Sequence, residues 1–353
     1  MTRKIKEYDV LKVMAIILVV LSHSVYYNIT SNYGGIAYQQ YVTDGMALNV
    51  YKIFNKIVEI IYYFHMPLFM ALSGTFFSIQ VKNNRWNDIK ELIDNKFRRL
   101  IMPFLIFTLL YTLPLKYASN YYEGIPFWKA LVGQLFLLGN SHLWYLYALF
   151  AIFILGFYVL KKKTSFYVYA ILYVLHVSSY LIKITLVSAP LQFLFWFALG
   201  FLFETNRETY NKFLDKNKWI TYILILLFIF MVVFNFYLKS NYKLLSRLVI
   251  DILAIIGSTI CYNMSYILSK QRSIVANSMF NLILINGLGI YIFSDTLNYF
   301  ILRIVYIISD NFMFMPVGII SLIILRFLGT LFGGLGLTLL FKKIFKKYSW
   351  LVN

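Results

Sequence analysis

The sequence predicts an all-α fold: a polytopic bundle of about ten transmembrane helices forming one integral-membrane unit over residues 1–353. Three observations carry this prediction. The chain is 61% hydrophobic and only 13% charged, whereas a soluble domain is nearer half apolar and about a quarter charged. Apolar runs close to the ~20 residues needed to cross a bilayer recur along its whole length. Basic residues gather in every second connection between those runs, the pattern of the positive-inside rule.

Ten segments have spanning length: residues 10–28, 55–79, 100–118, 142–160, 166–183, 188–204, 219–238, 248–268, 279–303 and 316–341. The first follows a basic start but lacks a small-residue cleavage site, and polar His23 comes directly after its apolar run. It therefore reads as a retained helix and not as a cleaved leader. The second contains Pro67, which removes a backbone donor and frees a carbonyl. The fifth and sixth divide weakly, with only Lys183 and Pro190 to mark a turn. Pro126 to Gly139 forms a short amphipathic stretch ahead of the fourth. The tenth carries Gly329 and Gly333, a spacing that close helix packing explains. The longest outer connection, about 28–54, is polar and rich in Tyr and Asn, and no soluble domain is expected.

With the N-terminus placed inside, most of the 33 basic residues fall in inner connections. These include Arg3, Lys4 and Lys6, then Lys96, Arg98 and Arg99, then Lys161 to Lys163. The last inner run is Lys342, Lys343, Lys346 and Lys347. Lys116 and Lys183 are among the fewer residues on the outer side. Both termini are thus expected on the cytoplasmic side. This distribution accounts for the net charge of +19 without a nucleic-acid partner, and makes membrane lipid the surrounding medium. The single cysteine, Cys261, excludes an internal disulfide and a cysteine metal cluster. No metal site and no tightly bound cofactor is expected. Walker, dinucleotide-binding, His-Glu-x-x-His and Gly-x-Ser-x-Gly motifs are all absent.

The candidate chemistry begins on the first span. Lys12 and His23 stand eleven residues apart, which places them within roughly 20° of one helix face and about 16 Å apart along the axis. Asp9, three residues before Lys12, can pair with it. Ionisable groups inside a span are expensive and point to function. His65 precedes Pro67 in the second span, where irregular backbone is tolerated only against protein or a cavity. His142 and Trp144 open the fourth span. Tyr291, Ser294 and Asp295 lie in the outer half of the ninth, where Asp295 could alternatively pair with Arg303. Their common depth suggests one polar cavity opening outward. His176 reads as a packing residue. Lys96-Phe97-Arg98-Arg99-Leu100, at the start of the third span, reads either as a topology signal or as a phosphate clamp, since guanidinium groups fork onto phosphate oxygens.

These motifs resemble, in order and over nearly the whole chain, acyltransferase family 3, the ten-span membrane O-acyltransferases. Asp9 with Lys12-x10-His23 is similar to the family's opening motif, with Lys where Arg is usual. His65-Met66-Pro67-Leu68-Phe69 with Ser73-Gly74 resembles its second-span motif, and Arg98-Arg99-Leu100 with Pro103 its basic motif. His142-Leu143-Trp144-Tyr145-Leu146 resembles its Leu-Trp-Phe-Leu motif. Gly289-Ile290-Tyr291-Ile292-Phe293 resembles its Gly-Ile-Tyr motif; where many members continue with histidine, this chain has Ser294-Asp295.

The resemblance implies a membrane O-acetyltransferase of the bacterial cytoplasmic membrane, with a likeness to capsule, exopolysaccharide and fucose acetylases. It would take acetyl groups from cytoplasmic acetyl-CoA, or another acyl-CoA, and pass them to a hydroxyl of a surface or lipid-linked saccharide. In that reading His23 is the general base, because histidine titrates in the useful range. His65 and Asp295 complete the catalytic set. Lys12, Arg98 and Arg99 meet the acyl-CoA. Asp9, His142, Trp144, Ser294 and Tyr291 orient the base or the acceptor. A polar midline with a basic inner face would also suit a non-enzymatic transporter or flippase of lipid-linked sugars, and a structural scaffold would need none of the phased polar groups.

Overall fold

The computed structural model describes residues 5–161 and 165–353; of the inner basic residues, Arg3, Lys4, Lys162 and Lys163 lie outside them. Its helices are α1 (Lys6–His23), α2 (Gly45–Lys82), α3 (Ile89–Ala118), α4 (Phe127–Leu135) and α5 (Trp144–Leu160). They continue with α6 (Phe166–Ser179), α7 (Thr185–Lys216), α8 (Ile220–Asn241), α9 (Lys243–Ser269), α10 (Ser278–Ile285), α11 (Gly287–Met313) and α12 (Pro316–Ile344). Among the described residues, seven helices are long and apolar enough to cross a membrane: α2, α3, α7, α8, α9, α11 and α12. Each of the ten expected segments overlaps a helix. Of the remaining three, α1 carries Lys6, Glu7, Asp9 and Lys12 within 18 residues, and α5 and α6 are shorter.

Local chemistry sets the boundaries. Asp44 caps α2 by accepting from Ala47 N at 2.7 Å, and Asn277 caps α10 through Met279 N at 2.8 Å, each satisfying an orphan donor of a first turn. Helix α2 therefore starts at Gly45, well before residue 55. In α3, widened π-type turns at Phe97–Ile101 and Thr108–Thr112 precede Pro103 and Pro114, where the ladder loses a donor. Pro190 lies inside α7; it does not mark the turn, which residues 180–184 make without it. The ninth expected span is not one helix. It breaks at Asn286 between α10 and α11, and α11 kinks again at Ser309.

Two glycines permit a close contact between helices. A Cβ on Gly74 would lie 1.9 Å from the carbonyl oxygen of Phe197, and one on Gly200 would lie 1.9 Å from that of Ala71. Helices α2 and α7 can meet at this distance only because both positions lack a side chain. On the other side of the bundle α11 packs along α12, and α1 runs between α2, α9 and α11. The start of α1 is tied to α7 by Arg207, which bridges Glu7 at 2.6 Å and Glu204 at 3.0 Å. Tyr8 adds a hydrogen bond to Glu204 at 2.5 Å.

The connection after α1 forms a small antiparallel hairpin, Asn28–Ser31 with Gly34–Ala37. Gly35 N donates to Tyr121 O at 2.8 Å, docking the hairpin on the loop after α3. With α4, an amphipathic helix as expected, this loop layer covers the end of the bundle to which α1 brings His23.

Candidate active site

Two helix ends and the interior of a third helix converge beneath that cover. His23 closes α1, His142 stands just before α5, and Asp295 lies in α11. Asp295 Oδ1 is 3.0 Å from His23 Nδ1, and its Oδ2 is 3.2 Å from His142 Nδ1. Asp295 does not pair with Arg303, which instead sits over the Tyr306 ring. His142 Nε2 is 3.0 Å from the carbonyl oxygen of Ile292. A carbonyl only accepts, so this nitrogen carries the proton. On His23, Nδ1 donates to the carboxylate, and in the neutral ring Nε2 then carries the lone pair. Asp295 and His142 are buried, while the His23 side chain keeps 24% of its surface. His23, His142, Asp295 and Trp144 line one cavity of about 260 Å³, with Tyr26, Tyr62 and Tyr299.

Two buried cations frame this group. Arg326 of α12 donates to Tyr26 O at 2.9 Å and to His23 O at 3.3 Å, satisfying carbonyls left open where α1 ends. Lys116 lies over the Tyr121 ring at 4.3 Å and donates to Asn140 O at 2.5 Å, which positions the backbone leading into His142. Both act electrostatically on Asp295. Sequence reasoning missed these two roles. Lys116 counted only as an outer basic residue; for Arg326, an arginine in an otherwise apolar helix was the available signal.

The same face of α1 continues toward Lys12. Lys12, Ile16, Val19 and Val20 line a second cavity of about 210 Å³, largely apolar, with Tyr145 and Tyr291 also in its wall. Tyr291 donates its hydroxyl to the carbonyl of His142, and Tyr145 pairs with Ser73 at 3.1 Å. Tyr291 thus links the wall of this cavity to His142 of the polar one. Lys12 interacts electrostatically with Asp9, as expected, and also with Lys342. Lys342 Nζ donates to Asn286 Oδ1 at 2.8 Å, at the break where α11 begins. A Cβ on Gly287 would meet Ile16 Cδ1 at 2.4 Å, so α1 passes close to the first turn of α11. Lys12 and Lys342 thus flank the N-terminal turn of α11, and a helix N-terminus beside two lysines is a setting that favours anions.

Other expected residues stand apart. Arg98 is exposed and pairs with Asp94 at 3.1 Å. Arg99 is exposed too; of that motif, Leu100 reaches the Lys12 cavity. His65 is buried, with Nδ1 donating to Ile61 O at 3.0 Å. Its ring meets Tyr62 edge-on at 4.5 Å, and Tyr62 in turn faces His23. Thus His65 backs the polar cavity through one tyrosine and does not line it. Ser294 is buried in α11 with its hydroxyl turned to Tyr291 O. Among the described residues, no group of three or more His, Cys, Asp or Glu side chains is arranged to hold a metal ion.

In a comparison with protein families, the acyltransferase domain model, family 3, matches residues 5–339. No curated protein matches the chain, and no solved structure does.

Proposed function

The chain belongs to acyltransferase family 3, and from that premise we propose that it is an O-acetyltransferase moving an acetyl group from cytoplasmic acyl-CoA to a hydroxyl of a surface or lipid-linked saccharide. The observation that carries the reading is the His23–Asp295 contact of 3.0 Å, set at the far end of the α1 face that begins at Lys12. A sugar hydroxyl is a weak nucleophile near neutral pH and needs a positioned base. Asp295 holds the His23 ring in one tautomer, the role a carboxylate plays in hydrolytic triads. His23 Nε2 takes the hydroxyl proton as the oxygen attacks the thioester carbonyl. A C–O bond forms, the C–S bond breaks, and the proton passes from His23 to the departing thiolate.

The donor fits the other cavity. A pantetheine arm is long and thin, and the aliphatic passage along Ile16, Val19 and Val20 matches it in character. Phosphate groups are matched at the opposite end by Lys12, Lys342 and the first turn of α11. Arg98 and Arg99, exposed near that end, supply additional positive charge along the approach. Tyr145 and Tyr291 would then move aside for the thioester to reach His23. Both termini lie on the cytoplasmic side in this reading.

The test is transfer of radiolabelled acetyl from acetyl-CoA to envelope glycan by the purified protein. Transfer dependent on the protein supports the reading. Movement of lipid-linked sugar without any acetyl donor, and with no ester formed, contradicts it.

A further inference from the structure

The structure holds a further cavity of about 550 Å³, larger than the two described above and of the size that takes small-molecule ligands. It shares Tyr62, Asn140, Ser141 and Trp144 with the His23 cavity, so the two adjoin. Its character differs from the aliphatic passage. Aromatic faces come from Trp144, Phe193 and Trp196, with Trp144 and Phe193 at 5.2 Å. Polar groups come from Ser188, Gln192 and Asp251.

The acid is held in a built arrangement. His176 Nδ1 faces the carbonyl oxygen of Gln192 at 2.5 Å, and its Nε2 faces Asp251 Oδ1 at 3.1 Å. Both ring nitrogens thus face oxygen atoms and hold the imidazole against the acid. Tyr173 donates to Asp251 Oδ2 at 3.1 Å. A carboxylate offers about four acceptor sites, so Asp251 retains capacity toward the cavity it lines. A buried acid and its histidine between helices α6 and α9 are costly for packing alone.

We propose that this cavity is the acceptor subsite, binding the sugar unit next to the one that carries the reacting hydroxyl. The acceptor is therefore at least a disaccharide. Its apolar ring faces stack on Trp144 and Trp196, and its hydroxyls donate to Asp251 and pair with Gln192 and Ser188. This assignment rests on the saccharide reading above.

Ser188→Cys tests it in the full chain. The native Cys261 is buried, so a bulky maleimide marks position 188, and wild type treated alike reports the background. The acceptor is a mixture of oligosaccharide fragments released from the envelope glycan of the native host, in a detergent without a sugar headgroup. The expected result is slower labelling when fragments are present. Acetyl transfer should fall about tenfold or more after labelling, since binding energy remote from the reaction centre is lost. Labelled protein that transfers as fast as unlabelled protein, or fragments that leave the labelling rate unchanged, would overturn the assignment. Wild type that transfers no acetyl group would overturn the enzymatic reading first.

Discussion

Nδ1 of His23 lies 3.0 Å from Oδ1 of Asp295, joining the end of the first helix to the middle of the eleventh. The second oxygen of the same carboxylate lies against His142. One acid thus faces two imidazoles, and only His23 keeps partial exposure to the cavity.

Asp295→Asn removes the charge while preserving size. The account expects kcat for acetyl transfer to fall about 10²-fold or more, the worth of a correctly oriented base. The KM for acetyl-CoA should hold, because Asp295 does not line the Lys12 cavity. A steady-state comparison of the two constants checks this; a changed KM with kcat intact would place Asp295 on the donor side.

Lys342→Ala is expected to raise the KM for acetyl-CoA, and Lys12→Ala to do the same. The double variant should cost less than the two single effects combined, because both cations serve one anion site. Arg99→Ala should act more weakly, since Arg99 is exposed and screened by salt. Donor saturation curves for the four proteins at fixed acceptor decide the matter, and equal KM values throughout would leave these residues with a topological role only.

Gly200→Ala probes the fold apart from the chemistry. The added methyl would fall 1.9 Å from the Ala71 carbonyl, so α2 and α7 must separate. Overpacking of this kind costs about 1–3 kcal/mol or more. Lower accumulation in the membrane and a reduced unfolding temperature are expected by size-exclusion thermal assay, whereas Gly336→Ala, which meets open space, should behave as wild type.

Helical periodicity made the Lys12–His23 face legible, because both residues sit on one helix and the repeat is regular. Asp295 stood out as a charge within a span. Its partner did not, because a local Arg303 competed on paper with histidines that only folding brings near. Lys116 and Lys342 were read as topology markers for the same reason: sequence places a lysine at a helix end but does not show it turning inward. The Asn286-Gly287 break had a signal, since that dipeptide commonly marks turns. Pro190 misled in the opposite direction, because a membrane helix can continue through proline when neighbouring helices resatisfy the backbone. His176 looked like packing until Asp251, on another helix, supplied its partner.

The most direct measurement is acetylation of envelope glycan by His23→Gln, read by mass spectrometry with protein levels matched in the membrane. Glutamine retains hydrogen bonding and approximate size but takes no proton. The account expects activity to fall by about 10²-fold or more, the usual contribution of a positioned base. Activity within about tenfold of wild type would contradict general-base catalysis by His23 and with it the central claim.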